Sequence, residues 1–115
     1  MSQQQLELPK GWVRTILSKI AIIKSGGTPS TSKIEYWNGD IPWVSPKDMK
    51  TQWMKDTQDY ITELGLQNSS TNLIEEGTLL IVFRSGILKH SIPISINLVP
   101  VTLNQDMKSF HPIDE

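Results

Sequence analysis

At 115 residues, with 37% hydrophobic and 20% charged side chains, the chain has the size and composition of one globular domain rather than a disordered or fibrous segment. It contains no cysteine, which excludes a disulfide framework, a thiolate metal site and a cysteine nucleophile. The net charge of −1 hides an asymmetry: residues 10–55 hold eight cations and three anions, and residues 56–115 hold three cations and eight anions. Such segregation can place a basic face on a nearly neutral protein, although ordinary solvated charge gives the same count.

Met1–Leu8 is polar and partly acidic, lacks the basic start and apolar run of a signal peptide, and reads as a flexible terminus. Pro9-Lys10-Gly11 signals a turn, and Trp12–Ile16 has the β-branched and aromatic bias of a strand. Leu17–Lys24 stays open between a helical turn and a strand, because a short apolar run does not resolve by period. Ser25-Gly26-Gly27-Thr28-Pro29 is a loop: the glycines reach positive φ, and Thr28 before proline is pushed toward extended geometry. Asn38-Gly39 reads as a tight turn, and Ile41–Ser45 as a brief extended segment.

Further on, Asp56–Ile61 reads as extended. Thr62–Gln67 reads as a short helix with Thr62 as N-cap, Glu63 favourable at its start and Gly65 weakening it. Ser69–Asn72 is loop, and Glu75–Thr78 turns into Leu79–Phe83, an uninterrupted apolar run typical of a strand buried on both faces. Arg84-Ser85-Gly86 breaks that run. Ile92, Ile94, Ile96 and Leu98 alternate with Pro93, Ser95 and Asn97, which predicts a one-sided strand at a sheet edge. Val101–Leu103 resumes after Pro100. The expected fold is α+β: a strand-rich single domain with short helices and long loops. Neither Leu79–Phe83 nor Ile92–Leu103 is long and continuous enough to cross a bilayer, so a cytoplasmic protein with no membrane partner is expected.

Catalytic patterns are weak. His90 and His111 are far apart in sequence and lack the i, i+4 pairing of a helical metal site. Ser25–Thr28 has neither the spacing of a P-loop nor its following lysine, and no Gly-x-Ser-x-Gly elbow surrounds Ser85. Asp40 and Asp48 could form an acid–base pair, but any acidic loop offers that coincidence. Binding signals are stronger. Tyr36, Trp37, Trp43 and Trp53 are interleaved with Lys33, Lys47, Lys50 and Lys55, a pattern suited to base stacking and phosphate contact. For Trp12 and Trp43 a place in the core accounts for the residue better. Thr28, Ser30, Thr31 and Ser32 form a hydroxyl cluster able to meet phosphates or base edges, or simply to satisfy a loop. Arg84 leaves a strand on a glycine turn, with Lys89 and His90 nearby, a placement that aims a cation.

Six blocks, in order along the chain, carry a resemblance: Leu8–Trp12 (LPKGW), Ile23–Ser30 (IKSGGTPS), Glu35–Trp43 (EYWNGDIPW), Val44–Met49 (VSPKDM), Arg84–His90 (RSGILKH) and Val101–Lys108 (VTLNQDMK). Together they resemble the target recognition domain of the DNA specificity (S) subunit of type I restriction-modification systems. That resemblance implies a non-catalytic reader of double-stranded DNA. In the family, two such domains separated by long helices each read half of a bipartite sequence. They direct adenine methylation and restriction through methylation (M) and restriction (R) subunits. S-adenosylmethionine, ATP and Mg are expected on those partners, with no cofactor and no metal on this chain. Asp40-Ile41-Pro42-Trp43 lacks the paired prolines of the aminomethyltransferase tetrapeptide and is not expected to be an active site.

The family's spacer helix is not expected within this chain, so residues 9–115 read as a partial recognition domain. A second half-specificity subunit is a further candidate partner. The DNA-contacting surface is expected at Gly26, Gly27, Thr28, Ser30, Thr31, Ser32, Lys47, Lys50, Arg84 and Lys89. An alternative is a protein-interaction fragment, for half-subunit dimerisation or methylation-subunit docking, that binds no DNA alone. The Ile92–Leu98 strand is the feature that suggests it.

Overall fold

A computed structural model describes residues 21–84 and 92–112. The flexible terminus over Met1–Leu8, the Pro9–Gly11 turn, the Trp12–Ile16 strand, a core role for Trp12, and the expectations for Ser85–His90 lie outside the described residues. Within them, the chain order is β1 (Ala21–Ser25), β2 (Trp37–Val44), β3 (Trp53–Met54), β4 (Asp59–Ile61), α1 (Glu63–Gln67), β5 (Leu79–Val82), β6 (Ile94–Asn97), β7 (Thr102–Leu103) and β8 (Met107–Pro112). Single 3₁₀ turns at Ile34–Tyr36 and Pro46–Asp48 flank β2. The strands form a five-stranded sheet in the order β1-β8-β5-β6-β3 and a three-stranded sheet in the order β4-β2-β7. Their facing sides share one core, with Val44, Val101 and Leu103 from the smaller sheet and its approach meeting Met54, Leu80, Val82 and Met107 from the larger.

Several local expectations hold for identifiable reasons. Thr62 caps α1: its hydroxyl accepts from the Gly65 amide at 3.1 Å and donates to the Glu35 carbonyl at 2.7 Å, satisfying one of the orphan donors of a helix start. Gly65, a weak residue by propensity, is required by packing, because a Cβ there would lie 2.6 Å from the Tyr36 carbonyl oxygen. Ala21–Ser25 resolves the ambiguous Leu17–Lys24 run as strand over its described part.

Three expectations are corrected. Asn38-Gly39 does not reverse the chain. Asn38 takes a left-handed φ of 64° inside β2, where the register against β4 shifts between Trp37 and Ile41, so the dipeptide makes a bulge. Leu79–Phe83 is not buried on both faces: Leu80 and Val82 are buried, Leu79 and Ile81 only half so, and Phe83 is exposed. The third correction is an inversion. In β6 the polar residues Ser95 and Asn97 face the core, while Ile94, with the flanking Ile92 and Leu98, is exposed. Nor is β6 an edge, since the two-residue β3 pairs with it in parallel through Trp53 and Met54.

The inversion follows from what Asn97 does. Its side-chain amide donates to the carbonyls of Ile74 (3.3 Å), Glu75 (2.9 Å) and Val99 (2.9 Å), and its side-chain oxygen accepts from the Thr78 amide at 2.8 Å. One buried amide thereby ties the connection after α1 and the return toward β7 onto the larger sheet. Buried backbone groups must be paired, and here that demand outweighs the apolar pattern of β6. The cost is an open apolar face. Ile23, Phe110, Leu79, Ile96 and Trp53 lie in one cross-strand row over all five strands, and Trp53 is 53% exposed.

Candidate nucleic-acid interface

The loop leaving β1 is fastened rather than free. The Gly27 amide donates to the Leu103 carbonyl at 2.9 Å, and the Gly27 carbonyl accepts from the Trp43 indole at 3.0 Å. Trp37 donates to the Ser30 carbonyl at 3.0 Å and meets Trp43 edge-on, with ring centroids 5.1 Å apart. Both tryptophans therefore hold the loop from beneath. Gly26 and Gly27 do not take the expected positive φ; they are needed instead because they are pressed against the backbone of Leu103 and Asn104 and against Ser70 and Thr71. They supply shape, and the hydroxyls supply chemistry: Thr28, Ser30, Thr31 and Ser32 are all exposed. The Ser30 and Ser32 hydroxyls lie 3.0 Å apart, and Thr28 donates to the side-chain oxygen of Gln105.

Gln105 links this loop to a cationic corner. It lies in the turn between β7 and β8, where the Asp106 amide donates to the Asn104 side chain at 2.9 Å. The Phe83 and Arg84 amides both donate to the Asp106 carbonyl, at 3.0 and 3.3 Å, so Arg84 is fixed by its backbone. Its guanidinium donates through Nε to Asp106 Oδ1 at 3.0 Å and reaches the Gln105 carbonyl at 3.4 Å. Lys108 lies 4.4 Å above the Phe83 ring and donates to the Ser25 hydroxyl at 2.8 Å, and Arg84 sits 5.6 Å from the same ring. Cations over an aromatic face in this range are favourably placed.

Another cation, Lys47, donates to Asp59 Oδ2 at 2.8 Å. That hydrogen bond holds the Lys47 pKa above the ordinary lysine value, helped by the charges of Asp59 and Asp48 and opposed by slight desolvation. Asp59 lines a shallow groove with Thr28, Thr31, Trp37 and Trp43. Asp48 is not an acid–base partner for Asp40: its carboxylate accepts from the amides of Ser45 and Gln58, both at 3.0 Å, and caps the 3₁₀ turn that carries Lys47.

The structure thus joins Thr28, Thr31, Lys47 and Arg84 into one surface. Lys50 is exposed on the same β2–β3 connection as Lys47, with its amide on the Asp48 carbonyl at 2.9 Å and no bond to the loop among the described residues. Lys89 lies outside the described residues. Trp53 is remote from the loop's tryptophans, on the outer face of the larger sheet. Phe83, Gln105 and Lys108 belong to the surface although no property of the sequence singled them out. Gln105 and Lys108 lie within the Val101–Lys108 block, which carries the resemblance without assigning them a role. Among the described residues, no cluster of three or more His, Asp or Glu is placed to hold a metal, and no helix is long and apolar enough to cross a membrane.

A strand-rich domain that presents hydroxyls, an amide side chain and cations on fastened loops has the form of a recognition module. Residues 9–115 match the family model for the type I restriction modification DNA specificity domain, and the chain belongs to that family as a target recognition domain. It is 50% identical over 97 residues to the EcoR124I/EcoR124II type I restriction enzyme specificity subunit of Escherichia coli, covering 84% of this chain and 24% of that protein. The MjaIX specificity subunit of Methanocaldococcus jannaschii is 33% identical over 111 residues, covering 94% and 25%. The chain therefore spans about a quarter of the length of the curated relatives it matches. A crystal structure of the specificity subunit from Thermoanaerobacter tengcongensis shares the fold at a TM-score of 0.71 and 16% identity, over 96% of this chain and 26% of that one. A second structure, from work on assembly and conformational transition of a type I restriction-modification system, gives 0.70 and 17% over 98% and 26%.

Proposed function

We propose that this chain reads one half of a bipartite duplex DNA sequence for a type I restriction-modification complex, and so directs where partner subunits methylate adenine and restrict. The observation that carries the reading is the fastened loop whose exposed hydroxyls share a surface with two cations, in a chain of this family. Thr28, Ser30, Thr31, Ser32 and Gln105 have the donor and acceptor groups that read base edges in a major groove, while Lys47, Arg84, Lys108, Lys50 and Lys89 would set register on phosphates. The chain itself performs no catalysis and binds no cofactor under this reading. S-adenosylmethionine, ATP and Mg belong to the methylation and restriction subunits, and the complex works in the cytoplasm.

A second reading has its own observation. The apolar outer row from Ile23 to Trp53, with Ile92, Ile94 and Leu98, is more exposed apolar surface than scattered side chains explain. It would suit a protein contact with a methylation subunit or a second half-specificity subunit. One experiment separates the two. Duplex binding is measured against salt for the wild type and for the Arg84→Ala, Lys89→Ala double variant, with sedimentation at several protein concentrations. The DNA reading predicts salt-dependent binding whose log–log slope falls by about one to two in the double variant. An unchanged slope would remove both cations from the interface. Self-association with no duplex binding at any salt would favour the protein-contact reading.

A further inference from the structure

The two ion pairs of this surface have a common arrangement. Lys47 and Arg84 both approach the Gly26–Ser32 loop, and each is held by a carboxylate, Asp59 at 2.8 Å and Asp106 at 3.0 Å. Asp59 lines the groove beside Thr28 and Thr31, and Asp106 follows Gln105, the partner of Thr28. Neither pair is needed to hold the chain in place. The Arg84 backbone is already bonded to the Asp106 carbonyl, and Lys47 rides on a turn capped by Asp48. Exposed pairs of this kind contribute about 0–1 kcal/mol, so their presence beside the loop calls for a reason other than stability.

Resting on the DNA reading above, we propose that Asp59 and Asp106 are specificity-determining residues that make phosphate contact by Lys47 and Arg84 conditional on a fitting sequence. Non-specific affinity for duplex DNA comes from cations neutralising phosphates and releasing condensed counterions. A cation that must first leave a carboxylate releases less, because the freed carboxylate takes up a salt cation in its place. The carboxylate also repels any phosphate that is not held against it by other bonds. A duplex whose base edges bond to the Thr28–Ser32 loop and Gln105 is held so, and an arbitrary duplex is not. The carboxylates therefore penalise wrong sequences more than right ones, which is the repulsive half of specificity.

The test uses Asp59→Asn, Asp106→Asn and their combination, with Glu63→Gln as a control for bulk charge. Asparagine keeps an oxygen able to accept from Lys47 or Arg84 and removes only the charge. Each variant is titrated with an arbitrary 20-base-pair duplex and with a duplex selected by the wild type, across a salt series, while melting temperature is recorded. Each asparagine variant is expected to bind the arbitrary duplex about threefold to tenfold more tightly near 0.1 M salt, with the slope steeper by about one. The ratio of selected to arbitrary affinity falls, and the melting temperature is preserved. Unchanged affinity and slope, in a protein that Arg84→Ala weakens, would overturn the role of the carboxylates and leave the DNA reading standing. So would an equal gain for both duplexes, or the same gain from Glu63→Gln. Absence of duplex binding in the wild type and every variant would overturn both.

Discussion

Asn97→Leu is expected to be the most damaging single substitution among the described residues. Asn97 is fully buried and bonds to three carbonyls and one amide that belong to two connections, from α1 to β5 and from β6 to β7. Leucine has the same branching at Cγ and matches the apolar character of β6, so a pattern-based view would tolerate it. Physically it strands the Thr78 amide and the Val99 carbonyl, each costing about 1–3 kcal/mol when left unpaired, and takes one of two partners from the Ile74 and Glu75 carbonyls, which keep the Val101 amide and the Thr78 hydroxyl. A net loss of about 2–4 kcal/mol is expected, a large share of the roughly 5–15 kcal/mol that holds a domain together. Thermal or urea unfolding of Asn97→Leu beside the exposed Ile92→Thr checks this. The first should lose on the order of 10–20 °C and the second no more than a few degrees. Equal melting temperatures would show that the amide is not the pin between the sheets.

Gly26→Ala is expected to have the second largest effect and to act on function as well. A Cβ on Gly26 would lie 2.5 Å from the Leu103 carbonyl carbon and nearer still to the Leu103 and Asn104 oxygens. Those atoms are backbone of β7 and its exit, where Leu103 is fully buried and pairs in parallel with β2, so they cannot give way cheaply. The loop must lift instead, losing the Gly27 bonds to Leu103 and Trp43. A cost of roughly 3 kcal/mol is expected, at the upper end for overpacking. Because the hydroxyls ride on this loop, duplex affinity should fall even at a temperature where the variant is folded. Unfolding curves and duplex titration on one sample distinguish the two effects. A variant with normal stability and normal binding would mean that the loop is not anchored through Gly26.

Local chemistry was legible in the sequence wherever a short motif has one physical outcome. Thr62 before Glu63 capped a helix, Gly26–Pro29 made a loop although Ser25 closes β1, and Trp43 entered the core with its indole nitrogen satisfied. Patterns that depend on distant partners were misleading. Asn38-Gly39 has the residues of a tight turn, yet β4 and the Thr62 region on one side hold it as a bulge within β2. The alternation of Ile92–Leu98 pointed the wrong side inward, because the amide of Asn97 is needed by carbonyls some twenty residues away in sequence. The same limit applied to the site. Loop hydroxyls and cations could be found by residue type, but not that Asp59 and Asp106, from the acidic half of the chain, sit on those cations. Nor could residue type show that Gln105 joins Thr28 to the Arg84 corner. The charge asymmetry that suggested a basic face is partly cancelled by these pairs.

The most direct test of DNA reading is selection by the chain from a pool of randomised duplexes, followed by sequencing of what it retains. A shared motif of a few base pairs, enriched over the starting pool, is expected, and it should weaken or change in a Thr28→Ala, Thr31→Ala variant of unaltered stability. A retained pool with no shared motif, or the same motif from the variant, would contradict the assignment of sequence reading to this loop.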